Sequence, residues 1–330
     1  MHPYAEDFDP LVPLLLKAER VLIGTHESPE GDCIGASLAL SEALTQLGKH
    51  VIQLNPDPVP RACQGLHGWQ QLQRHLPSEP VDLVVVLDCG ELERVGPSHR
   101  ALQSAQPLLN IDHHRTNRRF GTHNVVDPLA SSTCELLFYL LQRLPITWTE
   151  TLASSLYAGI SVDTGSFRYA STTERTLRVA RELVLLGANP ATIANGLYES
   201  MSHVRLKLLP LVLQTLSLSH TQQVASILLT REMLSQTGGL LADTEGFINY
   251  PRSLEGVEVA VFYKELAEGF SVSLRSKARV DIGTVASRLG GGGHKLAAAF
   301  RTKLSLEALR AQLEPLLSEA LADVGLRPEP

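Results

Sequence analysis

Four short apolar runs of the chain each break off in acidic or histidine residues. Val21-Leu22-Ile23-Gly24 leads into Thr25-His26-Glu27-Ser28-Pro29-Glu30-Gly31-Asp32, and Leu83-Val84-Val85-Val86-Leu87 leads into Asp88-Cys89-Gly90. Leu108-Leu109-Asn110-Ile111 runs into Asp112-His113-His114-Arg115, and Tyr157-Ala158-Gly159-Ile160-Ser161-Val162 into Asp163-Thr164-Gly165-Ser166. Apolar runs of this length, bounded by polar turn formers, predict buried strands. The longer stretch over 149–161 also reads as a helix that leads directly to Asp163. Helical spacing predicts further helices over 35–47, stopped by Gly48, and over 173–186, closed by Gly187. Another covers 132–144, opened by Ser132-Thr133-Cys134-Glu135 as a capping box. Strands alternating with helices in this way predict a doubly wound parallel sheet in the N-terminal half.

Over 190–219 the pattern turns helical and amphipathic without strand signals, with Leu206, Leu208, Leu209, Leu211 and Leu213 prominent. This stretch reads as a core-packing helical connector between two domains. Extended runs follow over 224–229, 257–263 and 270–274, then a helix over 281–289 and a turn of four glycines, Gly290 to Gly293. The expected architecture is α/β throughout: a parallel-sheet domain over 10–189, a helical linker over 190–219, and a smaller α/β domain over 220–330. The second domain is expected to pack its helices on one face, with the active-site cleft between the domains.

Composition narrows the class without naming a chemistry. A chain of 330 residues with 44% hydrophobic and 19% charged content is globular rather than disordered and long enough for two domains. The acidic start lacks the layout of a signal peptide, and no apolar run approaches the roughly 18–20 residues that span a bilayer, so a cytoplasmic protein without membrane contact is expected. Cys33, Cys63, Cys89 and Cys134 form no Cys-x-x-Cys pair, which excludes zinc-ribbon and redox-motif readings. Cys33 and Cys89 read as small core residues. A net charge of −6 argues against stable duplex nucleic acid as a partner, although a short oligonucleotide needs only local positive charge.

The chemistry lies at the ends of the apolar runs. One Asp there is as readily a helix cap or a turn residue. Four such ends in one parallel sheet would instead converge on one cleft, outside the carboxyl ends of the strands. His26, Glu30, Asp32, Asp88, His113 and Asp163 would then supply more donors than one ion needs, matching a two-metal phosphoryl-transfer site. Asp with His suits a divalent transition ion such as Mn²⁺ or Zn²⁺. Pro29 and Gly31 make a tight turn that lets His26, Glu30 and Asp32 face one point. Adjacent residues on an extended chain point to opposite sides, which separates His114 from His113. His114, with Arg115, is therefore assigned to phosphate binding or to protonating the leaving oxygen, and Asp112 to orienting a ligand histidine. Consecutive glycines let backbone N–H groups approach an anion closely. Gly291, Gly292 and Gly293 with His294, Arg275 and Ser276 are accordingly expected to hold a substrate phosphate or base.

These motifs, in this order, resemble those of the DHH phosphoesterase family, and Gly290 to Ala299 resembles the glycine-rich signature of the DHH-associated domain. The resemblance runs from about Val21 to Phe300 and is greatest to the NrnA-type subgroup. It implies that His26 and Glu30 hold a first ion and Asp32 a second. Asp88 would bridge both, and His113 and Asp163 would complete the second. It further implies two divalent ions as cofactor, Mn²⁺ first and Mg²⁺ or Co²⁺ as substitutes, with Asp88, Asp112 and His114 as the catalytic set. The implied activity is hydrolysis of short RNA oligonucleotides to mononucleotides and of the bisphosphate pAp to AMP. The competing readings are a dinucleotide (pApA) phosphodiesterase, a single-strand DNA exonuclease, an inorganic pyrophosphatase and a nucleotide sensor without activity. A homodimer is a further expectation. The family usually has Asp where this chain has Glu30, whose extra methylene still allows oxygen coordination.

Overall fold

The computed structural model describes residues 4–76, 79–105, 107–199, 201–219 and 222–325. The chain divides into two compact units, Met1–Ser200 and Met201–Pro330. The expected connector is split by that boundary.

In the first unit the elements run α1 (Ala5–Phe8), α2 (Leu11–Lys17), β1 (Arg20–Gly24), α3 (Gly31–Gln46), β2 (His50–Leu54) and β3 (Leu83–Leu87). They continue with α4 (His99–Gln103), β4 (Leu108–Asp112), β5 (His123–Val126), α5 (Thr133–Leu141), α6 (Glu150–Asp163), α7 (Glu174–Leu185) and α8 (Pro190–Tyr198). The five strands form a wholly parallel sheet in the order β2-β1-β3-β4-β5. Both faces are covered, as a parallel sheet of continuous Val/Leu/Ile runs requires. Val21, Ile23, Val85, Leu87, Leu109 and Ile111 pack against α3, α5 and α6, while Leu22, Val84 and Val86 meet Leu92, Val95 and Leu102 on the other side. The strand order reverses between β1 and β3, the switch point where such sheets open a crevice at their carboxyl ends.

Tyr157–Val162 is not a strand: it belongs to α6, so the fourth apolar run delivers Asp163 from a helix end. A short run without turn formers at its start cannot be told from buried helix by apolarity alone. α6 lies against α3 with almost no side chain between them. A Cβ at Gly35 would sit 2.3 Å from the Ser155 carbonyl oxygen, and one at Gly159 would sit 2.3 Å from Cys134 Sγ and 2.8 Å from Asp32 Oδ1. These glycines permit the close approach that brings Asp32, near the start of α3, beside the end of α6. The capping box expected at Ser132 is half realised. Ser132 accepts the Glu135 N–H, but the Glu135 carboxylate turns away to Ser131, Arg175 and Thr176.

The second unit contains α9 (His203–Leu213), β6 (Ser217–Leu218), β7 (Val224–Leu229), α10 (Arg231–Thr237), α11 (Asn249–Ser253), β8 (Val259–Glu265) and β9 (Phe270–Ser276). It closes with α12 (Ile282–Arg288), β10 (Gly292–His294), β11 (Ala297–Thr302) and α13 (Leu306–Asp323). The sheet order is β10-β11-β9-β8-β7-β6, antiparallel except for β7 with β8. Helices cover both faces, not one. Leu309, Leu313, Leu317 and Leu321 of α13 pack with α12 on Val261, Leu274 and Phe300, while Leu208 and Val212 of α9 pack with Phe247 and Ile248 on Ile227, Leu229 and Phe262. β7 and β8 are apolar at both alternating sets of positions, so each face must be shielded. The four glycines do not simply make a turn: Gly292–His294 pairs with Ala297–Ala299 as an edge strand. A Cβ at Gly291 or Gly293 would fall within 2.5 Å of β11 backbone oxygens, so these two glycines serve strand-to-strand approach.

Among the described residues no helix is long and apolar enough to cross a membrane.

Candidate metal centre

The carboxyl ends of β1, β3 and β4 place their polar side chains in one cluster. After β1, Asn55 donates to Thr25 Oγ1 and to the His26 carbonyl, fixing the backbone at 2.6 and 3.0 Å. His26 Nδ1 lies 2.7 Å from the Glu27 carbonyl and 3.2 Å from Arg94 Nη2, which turns Nε2 inward. Nε2 then lies 3.3 Å from Glu30 Oε1 and 3.4 Å from Asp88 Oδ2. Glu30 caps α3, and its side chain is 44% exposed. Asp32, two residues further in, is fully buried and accepts the Thr133 and Cys134 N–H groups at 2.7 and 2.9 Å. Its carboxylate thus sits on the N-terminus of α5, where backbone donors and helix dipole favour an anion.

Asp88 is the centre of the cluster. It follows β3 with φ of +56°, a left-handed conformation that is uncommon for non-glycine residues and that Asp enters more readily than most. Its Oδ1 accepts the Thr133 hydroxyl at 3.0 Å and lies 3.6 Å from His113 Nε2 and 3.7 Å from His114 Nδ1. After β4, Asp112 accepts from the His113 N–H, from His114 Nδ1 at 2.7 Å and from Asn117 Nδ2 at 2.6 Å. His113 Nε2 reaches Asp163 Oδ2 at 3.1 Å and Asp32 Oδ2 at 4.0 Å.

Three donor sets result, each with atoms within 4.8 Å of one another: His26, Glu30, Cys33 and Asp88; Asp32, His113 and Asp163; and Asp88, His113 and His114. These acidic and histidine clusters can hold metal ions. Two observations favour ions there. His26 Nε2 and Asp88 Oδ2 are buried, face each other, and make no hydrogen bond. Burial together with the charges of Asp88 and Asp163 holds the Asp32 carboxyl well above the ordinary carboxylate range. Burial likewise pushes Asp163 up to about 6 against its hydrogen bond from His113. Burial opposes charge on His26 and His113 too, yet their acidic neighbours raise both well above the ordinary imidazole value. Cations placed among these carboxylates would relieve the repulsion that protons relieve in their absence. The Cys33 thiol is pushed up to about 11, chiefly by burial.

The comparisons with known proteins agree in both halves of the chain. Residues 20–160 match the DHH family N-terminal domain and residues 241–320 the DHHA1 domain. The bifunctional oligoribonuclease and PAP phosphatase NrnA of Thermus thermophilus is 35% identical over 325 residues, covering 96% of this chain and 95% of that protein. The chain belongs to the DHH family. It is a phosphoesterase by that membership. An exopolyphosphatase-related protein from Bacteroides fragilis superposes on this DHH chain with a TM-score of 0.91 at 26% identity, covering 97% of this chain and 98% of that one. A RecJ structure with Mn²⁺ from Thermus thermophilus shares the fold at a TM-score of 0.55 and 15% identity, covering 98% of this chain and 55% of that one.

Within this DHH site the six expected donors, His26, Glu30, Asp32, Asp88, His113 and Asp163, come together. Asp112, expected to orient a ligand histidine, holds the ring of His114, which is not one of the six expected donors, and only the backbone N–H of His113. His113 and His114 do not point to opposite sides. Their rings lie 4.9 Å apart, because β4 ends at Asp112 and the alternation of an extended chain stops there. Arg115 is exposed and makes no hydrogen bond or ion pair among the described residues. In the second unit Arg275 and Ser276 occupy opposite faces of β9, since Ser276 is buried while Arg275 is half-buried. Gly292 borders open space, and the side chain of His294 lies outside the described residues. Thr133 was not anticipated: its N–H and hydroxyl touch Asp32 and Asp88 together. Its only sequence signal is its place directly after a capping serine.

Proposed function

We propose that this phosphoesterase is a two-metal, Mn²⁺-dependent enzyme that hydrolyses short oligoribonucleotides to mononucleotides and pAp to AMP. The observation that carries the two-metal reading is Asp88, which lies between the His26–Glu30 set and the His113 set with a buried, unpartnered oxygen. The donor set is nitrogen and carboxylate oxygen, which suits Mn²⁺ and admits Mg²⁺ or Co²⁺. The substrate reading rests on NrnA of Thermus thermophilus, whose name gives both activities and whose length this chain spans.

His26, Glu30 and Asp88 would hold one ion, and Asp32, Asp88, His113 and Asp163 the other. Bound divalent ions supply Lewis acidity, polarising the phosphoryl group and lowering the pKa of water. The chain supplies position and protons. Thr133 and Cys134 hold Asp32, and Thr133 holds Asp88, so the carboxylates need not reorganise during reaction. Asp112 fixes His114 through Nδ1, so that Nε2 is the atom that delivers a proton to the leaving oxygen. Arg115 binds a substrate phosphate. Arg275 and the Gly291–Gly293 backbone bind the substrate's second phosphate or base.

A time course with Mn²⁺ on a 5′-labelled RNA trimer, beside pAp, pApA and pyrophosphate, tests this. The expected result is mononucleotide release from the trimer and phosphate release from pAp. Turnover of pApA alone, or of pyrophosphate alone, would keep the two-metal chemistry and overturn the substrate.

A further inference from the structure

Behind the donor cluster lies a second charged network, built from residues that supply no donor to it. The Glu135 side chain is fully buried, and its carboxylate accepts from Arg175 Nε at 2.5 Å, Ser131 Oγ at 2.6 Å and Thr176 Oγ1 at 2.8 Å. Arg175 Nη2 also reaches Asp127 Oδ2 at 3.1 Å, and the Tyr4 hydroxyl donates to the same oxygen at 2.5 Å. The guanidinium carbon stands 5.4 Å over the Tyr4 ring, so the network extends to the first described residue of the chain. A buried ion pair is weak evidence of stability, because desolvation offsets most of its attraction. Its value is in fixing geometry, and the geometry it fixes is specific.

Asp127 and Ser131 both belong to the segment between β5 and α5. That segment is folded on itself: the Ala130 N–H bonds the Asp127 carbonyl at 3.1 Å and the Leu129 N–H bonds Asp127 Oδ1 at 2.8 Å. The segment and the first turn of α5 that follows it touch the donor cluster at four points. The Ala130 carbonyl lies 3.4 Å from His113 Nδ1, the Thr133 hydroxyl bonds Asp88, and the Thr133 and Cys134 N–H groups occupy one oxygen each of Asp32. Arg175 touches Asp127 and Glu135 at once, and Glu135 touches Ser131. The pair is a brace from α7 to both ends of the segment.

We propose that Arg175 and Glu135 are positioning residues for the metal centre. Acting through Asp127 and Ser131, they hold residues 127–134 where these can orient His113, Asp32 and Asp88. This inference rests on the reading of the donor cluster as a metal site. Outer partners of ligands typically change metal affinity or activity by about 10–100-fold when lost. That range sets the expected size for a brace one step further out at its lower end.

The test uses the full chain as Arg175→Met, Arg175→Lys and Ser131→Ala, with Arg178→Ala as the control on the same helix, where Arg178 pairs with exposed Glu174. Mn²⁺ affinity is read by titration calorimetry. Turnover and KM are read with bis-p-nitrophenyl phosphate at saturating Mn²⁺, and melting temperature is recorded for each variant. Arg175→Met is expected to weaken Mn²⁺ binding by about tenfold or more and to lower turnover with KM little changed. Arg175→Lys keeps a cation but cannot span both carboxylates, so it is expected to recover part of the loss. Ser131→Ala leaves every charge in place and is expected to weaken Mn²⁺ by a few-fold; it carries the test if Arg175→Met fails to fold. Folded Ser131→Ala and Arg175→Lys proteins with wild-type Mn²⁺ affinity and turnover, and only a lower melting temperature, would overturn the proposal. A wild-type chain that binds no Mn²⁺ would instead sink the metal reading, and the inference with it.

Discussion

Replacing Asp88 by Asn separates the charge of this residue from its shape. Asn tolerates the left-handed backbone at φ +56° and can still accept the Thr133 hydroxyl, so the fold should survive. What disappears is one negative charge at a buried point 3.4 Å from His26 and 3.6 Å from His113. A unit pair about 4 Å apart is worth about 4 kcal/mol at an effective dielectric constant of 20, and a divalent ion doubles the gross figure before desolvation is subtracted. Loss of merely an outer partner costs about 10–100-fold, so about 100-fold per ion is a floor for a shared direct ligand. We therefore expect the metal-dependent rate to fall by about 10³-fold or more at fixed Mn²⁺, equivalent to about 4 kcal/mol. In the ion-free chain, however, Asp88 is the counter-charge of His26, His113 and His114, which hold its carboxyl well below the ordinary range against burial. The ion-free variant should therefore melt below wild type, even as the repulsion felt by Asp32 is relieved. The assay is hydrolysis of bis-p-nitrophenyl phosphate across a Mn²⁺ titration, with melting curves in chelator. Near-wild-type turnover at the same Mn²⁺ demand would refute Asp88 as the shared ligand.

Three further outcomes are expected. In the ion-free chain His26 and His113 sit well above the ordinary imidazole value, so they contribute stability that is complete below about pH 6.5 and is lost as pH rises through their folded values. Melting temperature in chelator should fall above that pH while Mn²⁺ affinity rises; a calorimetric titration showing no proton release near neutral pH would contradict this. Thr133→Val removes the hydroxyl on Asp88 and keeps the branched shape, which should lower turnover by about tenfold or more, checked at saturating Mn²⁺ against unchanged circular dichroism. Leu313→Ala, in the core of the second unit, should destabilise by about 2–5 kcal/mol in urea, with Mn²⁺ affinity unchanged.

Much of the first unit was legible because its decisive features are local. Strands β1, β3 and β4 are continuous apolar runs, and each ends at the residue where polarity changes. Asp163 lies beside His113, but it arrives there from a helix end, so one of the two readings of its segment was wrong. Helix and buried strand look alike over six apolar residues, and only the neighbouring helix α3 decides between them. The side chain of His114 was misplaced because alternation was applied past the end of β4. Thr133, Glu135 and Arg175 were invisible as a group, since their partners lie 40 to 101 residues away in the chain. In the second unit the glycines of β10 and the alanines of β11 carry no alternating pattern, so their hairpin could not be read as strands.

The glycine contact between α3 and α6 bears on which cation the donor cluster could hold. Asp32 stands near one helix start and Asp163 at the other helix end, so these two carboxylates behave like the jaws of a caliper whose opening is set by helix spacing. Gly35 touches no donor, yet adding one methyl there would force the jaws apart by pressing on the Ser155 carbonyl. Discrimination between a small ion such as Mg²⁺ and a larger one such as Ca²⁺ would then be tunable from a helix interior, at a position no ligand inventory contains.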